Sequence, residues 1–340
     1  MENKEIGWIN IVKAICMIMV YFYHTSVYCG YEPRLFSFYS PFFVTSFFFI
    51  SGYLIFKLFA TSDTQLKCEP QPVGGVKIDN VLYKIAIPTV LFSLINYFPK
   101  VIIRGVGISF YTFLCDTILG GSLWFTSALV ISEVILYVLF KTQNKNIAFY
   151  SIITVCLAVC AIILEKQTNI TLLNNRNIPW FYKAGMIGSF YMVLGGMYRT
   201  NENRLNIKLP ILISLCVVYC LLVFTYGERI HIAVNVADVN ILGFIMSLLG
   251  IYILISICKR VKPLEIVNYL GRNTLPFYFL SGGVPNVLSM LYIKLGYTIN
   301  IYSYIVLCIL SLLLAGISVT IIKKYAFFLL DLRILNKNNN

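Results

Sequence analysis

Hydrophobic residues occur in long runs along this chain, and short breaks rich in charged residues, proline or glycine separate the runs. A helix rises about 1.5 Å per residue, so about 20 apolar residues are enough to cross the hydrocarbon core of a bilayer. The pattern therefore predicts an all-α integral membrane protein, a bundle of about ten transmembrane helices. The predicted spans cover approximately residues 6–27, 38–60, 81–103, 122–140, 147–164, 180–199, 208–226, 238–258, 267–292 and 299–322.

The ninth run contains residues that interrupt a helix, namely Pro276, Gly282, Gly283 and Pro285. A broken membrane helix is tolerated only where it is buried in protein or lines a water-filled cavity. We therefore expect the ninth helix to be broken into two half-helices. Residues 1–322 are expected to form one transmembrane domain, and residues 323–340 a basic cytoplasmic tail.

The composition agrees with a membrane protein, because 59% of the 340 residues are hydrophobic, only 12% are charged and the mean hydropathy is +0.81. The net charge of +13 would indicate nucleic-acid binding in a soluble protein. Here the basic residues lie mainly in the short segments between the runs, so no nucleic-acid partner is expected. Lys and Arg are more numerous in the connecting segments on one side of the predicted spans, the side that includes both termini, so both termini are predicted to be cytoplasmic. The Asn, Ile and Lys content is typical of a low-GC bacterium, which indicates a bacterial cell membrane.

The ten cysteines lie mostly inside hydrophobic runs, so we interpret them as small packing residues and not as a disulfide framework. No Cys-x-x-Cys occurs, and no cysteines and histidines have the spacing of metal ligands. No metal site is therefore expected.

Two ionisable residues, Lys13 and His24, lie in the first hydrophobic run. Such groups are costly in the membrane and usually face a bundle interior or a wet cavity at a functional site. Their spacing of eleven residues is about three helical turns, so they share a helix face but lie roughly 16 Å apart along the axis. One interpretation is a cationic anchor for an anionic group and a general base. The other is a lysine that reaches the interface and a hydrogen-bonded structural histidine.

Glu133 is a third intramembrane ionisable residue, about 13 Å deeper than Trp124 along the fourth run. A carboxylate at this depth needs a partner, and His24 or Lys13 is the natural candidate. Glu133 could orient the His24 imidazole as the third member of a base relay, or it could form a purely structural pair.

The stretch WINIVKAICMIMVYFYH resembles the opening of the membrane-bound acyltransferase family 3 proteins, whose signature is a basic residue, ten intervening residues and a histidine. Lys13 and His24 occupy those two positions. The family usually has arginine at the first, so the chain is more similar to the fucose 4-O-acetylase-like and intercellular-adhesion-type branch. The aspartate that the family often has three residues earlier is replaced here by Asn10.

Further blocks are similar to the family in order along the chain. They are the Ser51-Gly52 element, Lys84 with Ile87-Pro88, Leu123-Trp124-Phe125, the stretch FYMVLGGMYR and the stretch NYLGRNTLPFY, which contains Asn273. Where the last block usually ends in histidine, this chain has Ser281. The paired arginines of the family's third helix are also absent, which leaves Lys77 and Lys84 there.

The resemblance implies an O-acyltransferase that moves an acyl group, acetyl from acetyl-CoA, to a hydroxyl of a sugar, cell-surface polysaccharide or glycolipid. His24 would be the general base, Lys13, Lys77 and Lys84 would hold the phosphates of CoA, and Trp124, Asn273 and Ser281 would contact the acceptor. The alternative is a transporter or exporter of a glycan or small polar solute, because intramembrane Lys, Glu and His also form proton relays. A third is a non-enzymatic sensor or assembly subunit. The oligomeric state stays open.

Overall fold

The computed structural model describes residues 7–31, 33, 35–58, 70–71, 76–104, 109–142, 147–167, 179–226 and 241–333, and these ranges are predominantly helical. The helices are α1 (Gly7–Cys29), α2 (Phe36–Tyr39), α3 (Thr45–Ile55), α4 (Ile78–Val81), α5 (Ile87–Arg104), α6 (Phe110–Asp116), α7 (Trp124–Lys141), α8 (Ile147–Gln167), α9 (Tyr182–Thr200), α10 (Leu209–Tyr226), α11 (Ile241–Cys258), α12 (Glu265–Arg272), α13 (Thr274–Ser281), α14 (Val284–Lys294) and α15 (Ile301–Tyr325). A π-helical turn (Leu82–Ala86) joins α4 to α5, a short 3-10 helix (Phe327–Leu329) follows α15, and β1 (Lys57–Leu58) pairs with β2 (Pro70–Gln71).

Seven helical segments in the described ranges are long and apolar enough to cross a membrane. They are α1, the continuous segment Ile78–Pro99, α7, α8, α10, α11 and α15. Apart from the two-residue strands β1 and β2, the described ranges fold as helices and turns, and the chain is a multi-pass helical membrane protein, as the hydrophobic pattern predicts. Each of these segments coincides with a predicted span to within a few residues.

The other three predicted spans do not meet the same length and hydropathy criterion, so the count of ten is not confirmed. At the second span, α3 has only 11 residues. At the sixth, α9 is long enough but less apolar, because it contains four glycines. Most of its residues are buried by other helices. The ninth is broken at Gly282 and Gly283, as predicted, and again at Asn273, so it forms three helices.

The third span contains an irregular turn that its proline explains. Pro88 has no N–H group, so it interrupts the regular hydrogen-bond ladder of the helix. The N–H of Ile87 bonds to the carbonyl oxygen of Leu82, five residues back, and this wider turn contains Lys84. Single π-turns of this kind often occur at functional sites.

Helix α9 is the centre of one half of the bundle, where it packs against α3, α7 and α8. The contact with α3 needs glycine on both helices. A Cβ on Gly52 would lie 1.9 Å from the carbonyl oxygen of Met192, and a Cβ on Gly195 would lie 1.9 Å from that of Phe49. The Ser51-Gly52 element therefore serves a close backbone approach between helices.

Helix α1 is the centre of the other half, where it packs against α11 to α15. The amide of Asn10 donates to the side-chain oxygen of Asn268 at 3.4 Å. Gly271 packs against the backbone of Asn10 so closely that its Cβ would lie 2.2 Å from the Asn10 carbonyl oxygen. The first hydrophobic helix thus runs along the broken ninth span.

Candidate functional site

His24 lines a small recess of about 90 Å³ at the break in the ninth span. Four separate parts of the chain meet there: α1, α5, the turn before α7, and the α13–α14 junction. The lining residues are His24, Tyr28, Asn96, Pro99, Ser122, Leu123, Gly282, Gly283, Asn286 and Val287. An imidazole, two carboxamides and two hydroxyl-bearing side chains therefore converge inside an otherwise apolar bundle, which is the arrangement expected of a polar site in a membrane protein.

The broken helix has hydrogen bonds that satisfy its interrupted backbone. The N–H of Gly283 bonds to the carbonyl oxygen of Leu280, three residues back. The Asn96 amide donates to the carbonyl oxygen of Phe279 at 2.9 Å, which ties α5 to the break. Because backbone groups inside a membrane must find partners, Asn96 stabilises the opening of the helix beside His24.

His24 contacts the broken span at the recess, and helical periodicity places Lys13 on the same face of α1. Between them on the same face, the Tyr21 hydroxyl donates to the carbonyl oxygen of Phe277 in α13 at 2.9 Å. Asn10, one turn before Lys13, contacts α12. His24 reaches the recess, whereas Lys13 lies roughly 16 Å away along the helix and does not line it.

Glu133 lies well below the recess. Leu123, which lines it, precedes Glu133 by ten residues, or roughly 15 Å along α7. By helix rise alone, Glu133 is closer in depth to Lys13 than to His24. Its role in a base relay therefore stays a prediction.

The two lysines predicted at the third span lie near its start. Lys77 is exposed at the N-cap of α4. Lys84 is half exposed, and its Nζ lies 3.9 Å from Oδ2 of Asp331, in the segment after α15. The Arg333 side chain, which donates to the same carboxylate at 2.6 Å, holds the pKa of Asp331 below its usual value. The described part of the predicted tail thus lies beside Lys84, one of the predicted donor-binding residues.

Of the three residues predicted to contact the acceptor, two adjoin the recess. Trp124 follows Leu123 directly and packs against Phe125 and Phe181. Ser281 precedes Gly282 but is buried, and its hydroxyl donates to the carbonyl oxygen of Tyr278 at 2.8 Å.

Asn273, the third, lies at the α12–α13 junction and not at the recess. Its side-chain oxygen accepts a hydrogen bond from Lys323 at 2.8 Å, and its amide donates to the carbonyl oxygen of Tyr269 at 2.7 Å. It is two residues from Gly271, which packs against Asn10. Asn273 therefore belongs to the end of α1 that carries Lys13.

The recess also contains polar residues that the sequence interpretation did not single out, chiefly Asn96, Ser122 and Asn286. Asn96 and Asn286 are carboxamides inside apolar runs. A polar side chain within the membrane costs free energy, and this is the signal that could have identified them. In the ranges that the structure describes, no group of three or more His, Cys, Asp or Glu side chains could hold a metal ion.

These features define a multi-pass helical membrane protein with a histidine-containing polar recess at a broken helix. Comparison with known protein families matches residues 6–320 to the acyltransferase domain of the acyltransferase 3 family. Since the match covers nearly the whole chain, the chain belongs to this family of acyltransferases. No curated protein and no solved structure matches it. The narrower resemblance to the fucose 4-O-acetylase-like branch stays a prediction.

Proposed function

We propose that this protein transfers an acetyl group from acetyl-CoA to a hydroxyl of a carbohydrate, in a cell-surface polysaccharide or a glycolipid. The observation that supports this most directly is the position of His24. By the resemblance of the first hydrophobic run it occupies the position of the histidine in the family's opening motif, and it lines a polar recess where a broken helix meets three other parts of the bundle.

In the proposed reaction His24 acts as a general base. It accepts the proton of the acceptor hydroxyl while that oxygen attacks the thioester carbonyl carbon. The carbon–sulfur bond then breaks, an ester forms, and the CoA thiolate takes the proton from the protonated His24 imidazole as it leaves. A histidine suits this step because its unperturbed pKa is close to neutral pH, and general-base catalysis typically contributes about 10²- to 10⁴-fold.

The proposed donor site lies nearer the other end of α1. Lys13, Lys77 and Lys84 would interact with the CoA phosphates as point charges. Asn273 and Lys323 contact each other near the same end of α1, so Asn273 fits the donor side better than the acceptor side. The acceptor would contact Trp124 beside the recess. Glu133 would act on the orientation of His24 through intervening groups, since it is closer in depth to Lys13.

The proposed topology has ten spans with both termini in the cytoplasm of a bacterial cell. It includes the short α3 and the broken α12–α14 segment as spans. This topology would bring acetyl-CoA to the Lys13 end of the bundle and the acceptor to the His24 end. The membrane itself is the other expected partner.

The proposal is tested by measuring thioester consumption. The full-length protein, purified in detergent, is incubated with acetyl-CoA and candidate carbohydrate acceptors, and free CoA thiol and acetylated product are measured together. We expect acceptor-dependent thiol release with an equal amount of ester. A protein that binds the acceptor but never consumes the thioester would contradict the proposal.

The broken helix beside the recess favours a transporter as the second candidate, because discontinuous helices often form transport sites. A transporter in liposomes should move a polar solute without consuming acetyl-CoA. The same protein preparation can be used for both measurements.

A further inference from the structure

An apolar groove of about 450 Å³ lies between α9 and α11, near the end of the bundle where both helices terminate. Its walls include Phe49, Leu194, Met197, Leu248, Ile251 and Ile255. It shares no residue with the recess around His24. The two sites lie toward opposite ends of α1. Tyr198, in the groove, and Trp8, at the start of α1, both contact Lys259, whereas His24 lies roughly 24 Å further along α1.

One end of this groove is polar and carries the cation of Arg204, beside Asn201. Arg204 is exposed, and its guanidinium makes no hydrogen bond or ion pair within the part of the chain that the structure describes. A guanidinium has five N–H donors in a planar fork that matches phosphate oxygens. The groove thus has an apolar part and, at one end, a cation that is available to an anionic group.

The surroundings of Arg204 strengthen its positive potential. Lys208 is an exposed cation on the same connection between α9 and α10, and Arg260 lies just after α11. Glu202 is the one acidic residue in the described segments 199–208 and 259–262, and it is already engaged. Its carboxylate pairs with Lys259 at 2.7 Å and accepts a hydrogen bond from the Tyr53 hydroxyl at 2.5 Å.

We propose that this groove binds one anionic phospholipid, with an acyl chain between α9 and α11 and the phosphate at Arg204. An acyl chain fits a groove walled by leucine, isoleucine and phenylalanine. The phosphate and its negative charge fit Arg204 and the neighbouring cations, as in other basic pockets between transmembrane helices. This site is separate from the proposed catalytic recess and does not depend on the proposed acyl transfer.

The test is native mass spectrometry of the full-length protein in detergent, titrated with phosphatidylglycerol or with phosphatidylcholine of the same acyl chains. We expect one phosphatidylglycerol to be retained and phosphatidylcholine to be retained weakly. Arg204→Ala should weaken phosphatidylglycerol binding about fivefold, since one basic residue near a membrane surface contributes about 1 kcal/mol. Lys141→Ala removes an exposed cation at the same end of the bundle, on α7, and should leave binding unchanged.

A second variant tests the apolar part of the site. Leu248→Trp should fill the groove and displace the lipid, and its thermal stability without added lipid shows whether the helices still pack. Equal phosphatidylglycerol binding by the wild type, Arg204→Ala and Leu248→Trp would overturn the proposal. Displacement of the lipid by acetyl-CoA in the wild type but not in Arg204→Ala would also overturn it, because the groove would then bind the donor.

Discussion

The Tyr21 hydroxyl donates to the carbonyl oxygen of Phe277 at 2.9 Å, and this contact fixes α1 against the broken ninth span. Tyr21 lies less than one turn before His24 and two turns after Lys13, on the same helix face. The contact therefore sets which parts of the broken span the two ionisable residues can reach. It brings His24 to the α13–α14 junction, while Asn10, one turn before Lys13, contacts Asn268 of α12.

His24→Ala should lower acyl transfer by about 10²- to 10⁴-fold, because it removes the proposed general base. The measurement is the rate of CoA thiol release with acceptor present. His231→Ala, which changes the chain's other histidine, is the matched control and should retain activity. If the folded His24→Ala variant, checked by size-exclusion chromatography, turns over at the wild-type rate, His24 is not the base.

Lys13→Ala should weaken CoA binding strongly, whereas Lys13→Arg should largely preserve it, because either cation can attract phosphate. Isothermal titration with CoA measures both effects. Lys294→Ala is the control, since Lys294 is an exposed cation in the last turn of α14. If CoA affinity is indifferent to substitution of Lys13, Lys77 and Lys84, the donor binds elsewhere.

Glu133→Gln should lower turnover less than His24→Ala does, because Glu133 would act only through the orientation of the imidazole. Gln keeps the shape and most of the hydrogen-bonding capacity of Glu but removes its charge. Turnover and thermal stability are measured on the same preparation. Normal turnover at normal stability would remove Glu133 from the mechanism, and normal turnover at reduced stability would assign it a structural role.

Gly195→Ala should destabilise the bundle by about 1–3 kcal/mol or more, because the added Cβ would collide with the carbonyl oxygen of Phe49. Gly316→Ala is the matched control, since its Cβ would lie 3.8 Å from Cζ of Phe277, which is an ordinary contact. Thermal unfolding in detergent compares them. Equal melting temperatures for the two variants would contradict the close approach of α3 and α9.

The proposed topology predicts that a reporter fused after Asn340 is cytoplasmic and that one inserted in residues 168–178 is on the other side. The physical basis is the excess of Lys and Arg in the segments assigned to the cytoplasm. Paired alkaline phosphatase and green fluorescent protein fusions measure the side of each position. Reporters on the same side at both positions would contradict the ten-span topology.

The membrane class and most helix positions could be predicted because they depend on local sequence. Length and hydropathy decide whether a run can cross a bilayer, and helical periodicity places Lys13 and His24 on one face. The interruption at Gly282 and Gly283 could also be predicted from the sequence, because glycine and proline affect the backbone conformation at their own positions. The same local criterion predicts too long a helix at the second span, because α3 is shorter than the hydrophobic run that contains it.

The sequence by itself determined an all-helical membrane protein with a lysine and a histidine on one face of its first helix. Only the tertiary structure decided that Asn96 and Asn286 surround His24 and that Asn273 belongs to the Lys13 end. The physical reason is that side-chain direction along a helix follows a fixed period. The neighbours of that side chain depend instead on how distant helices pack, where each one breaks and how far each is shifted along its axis.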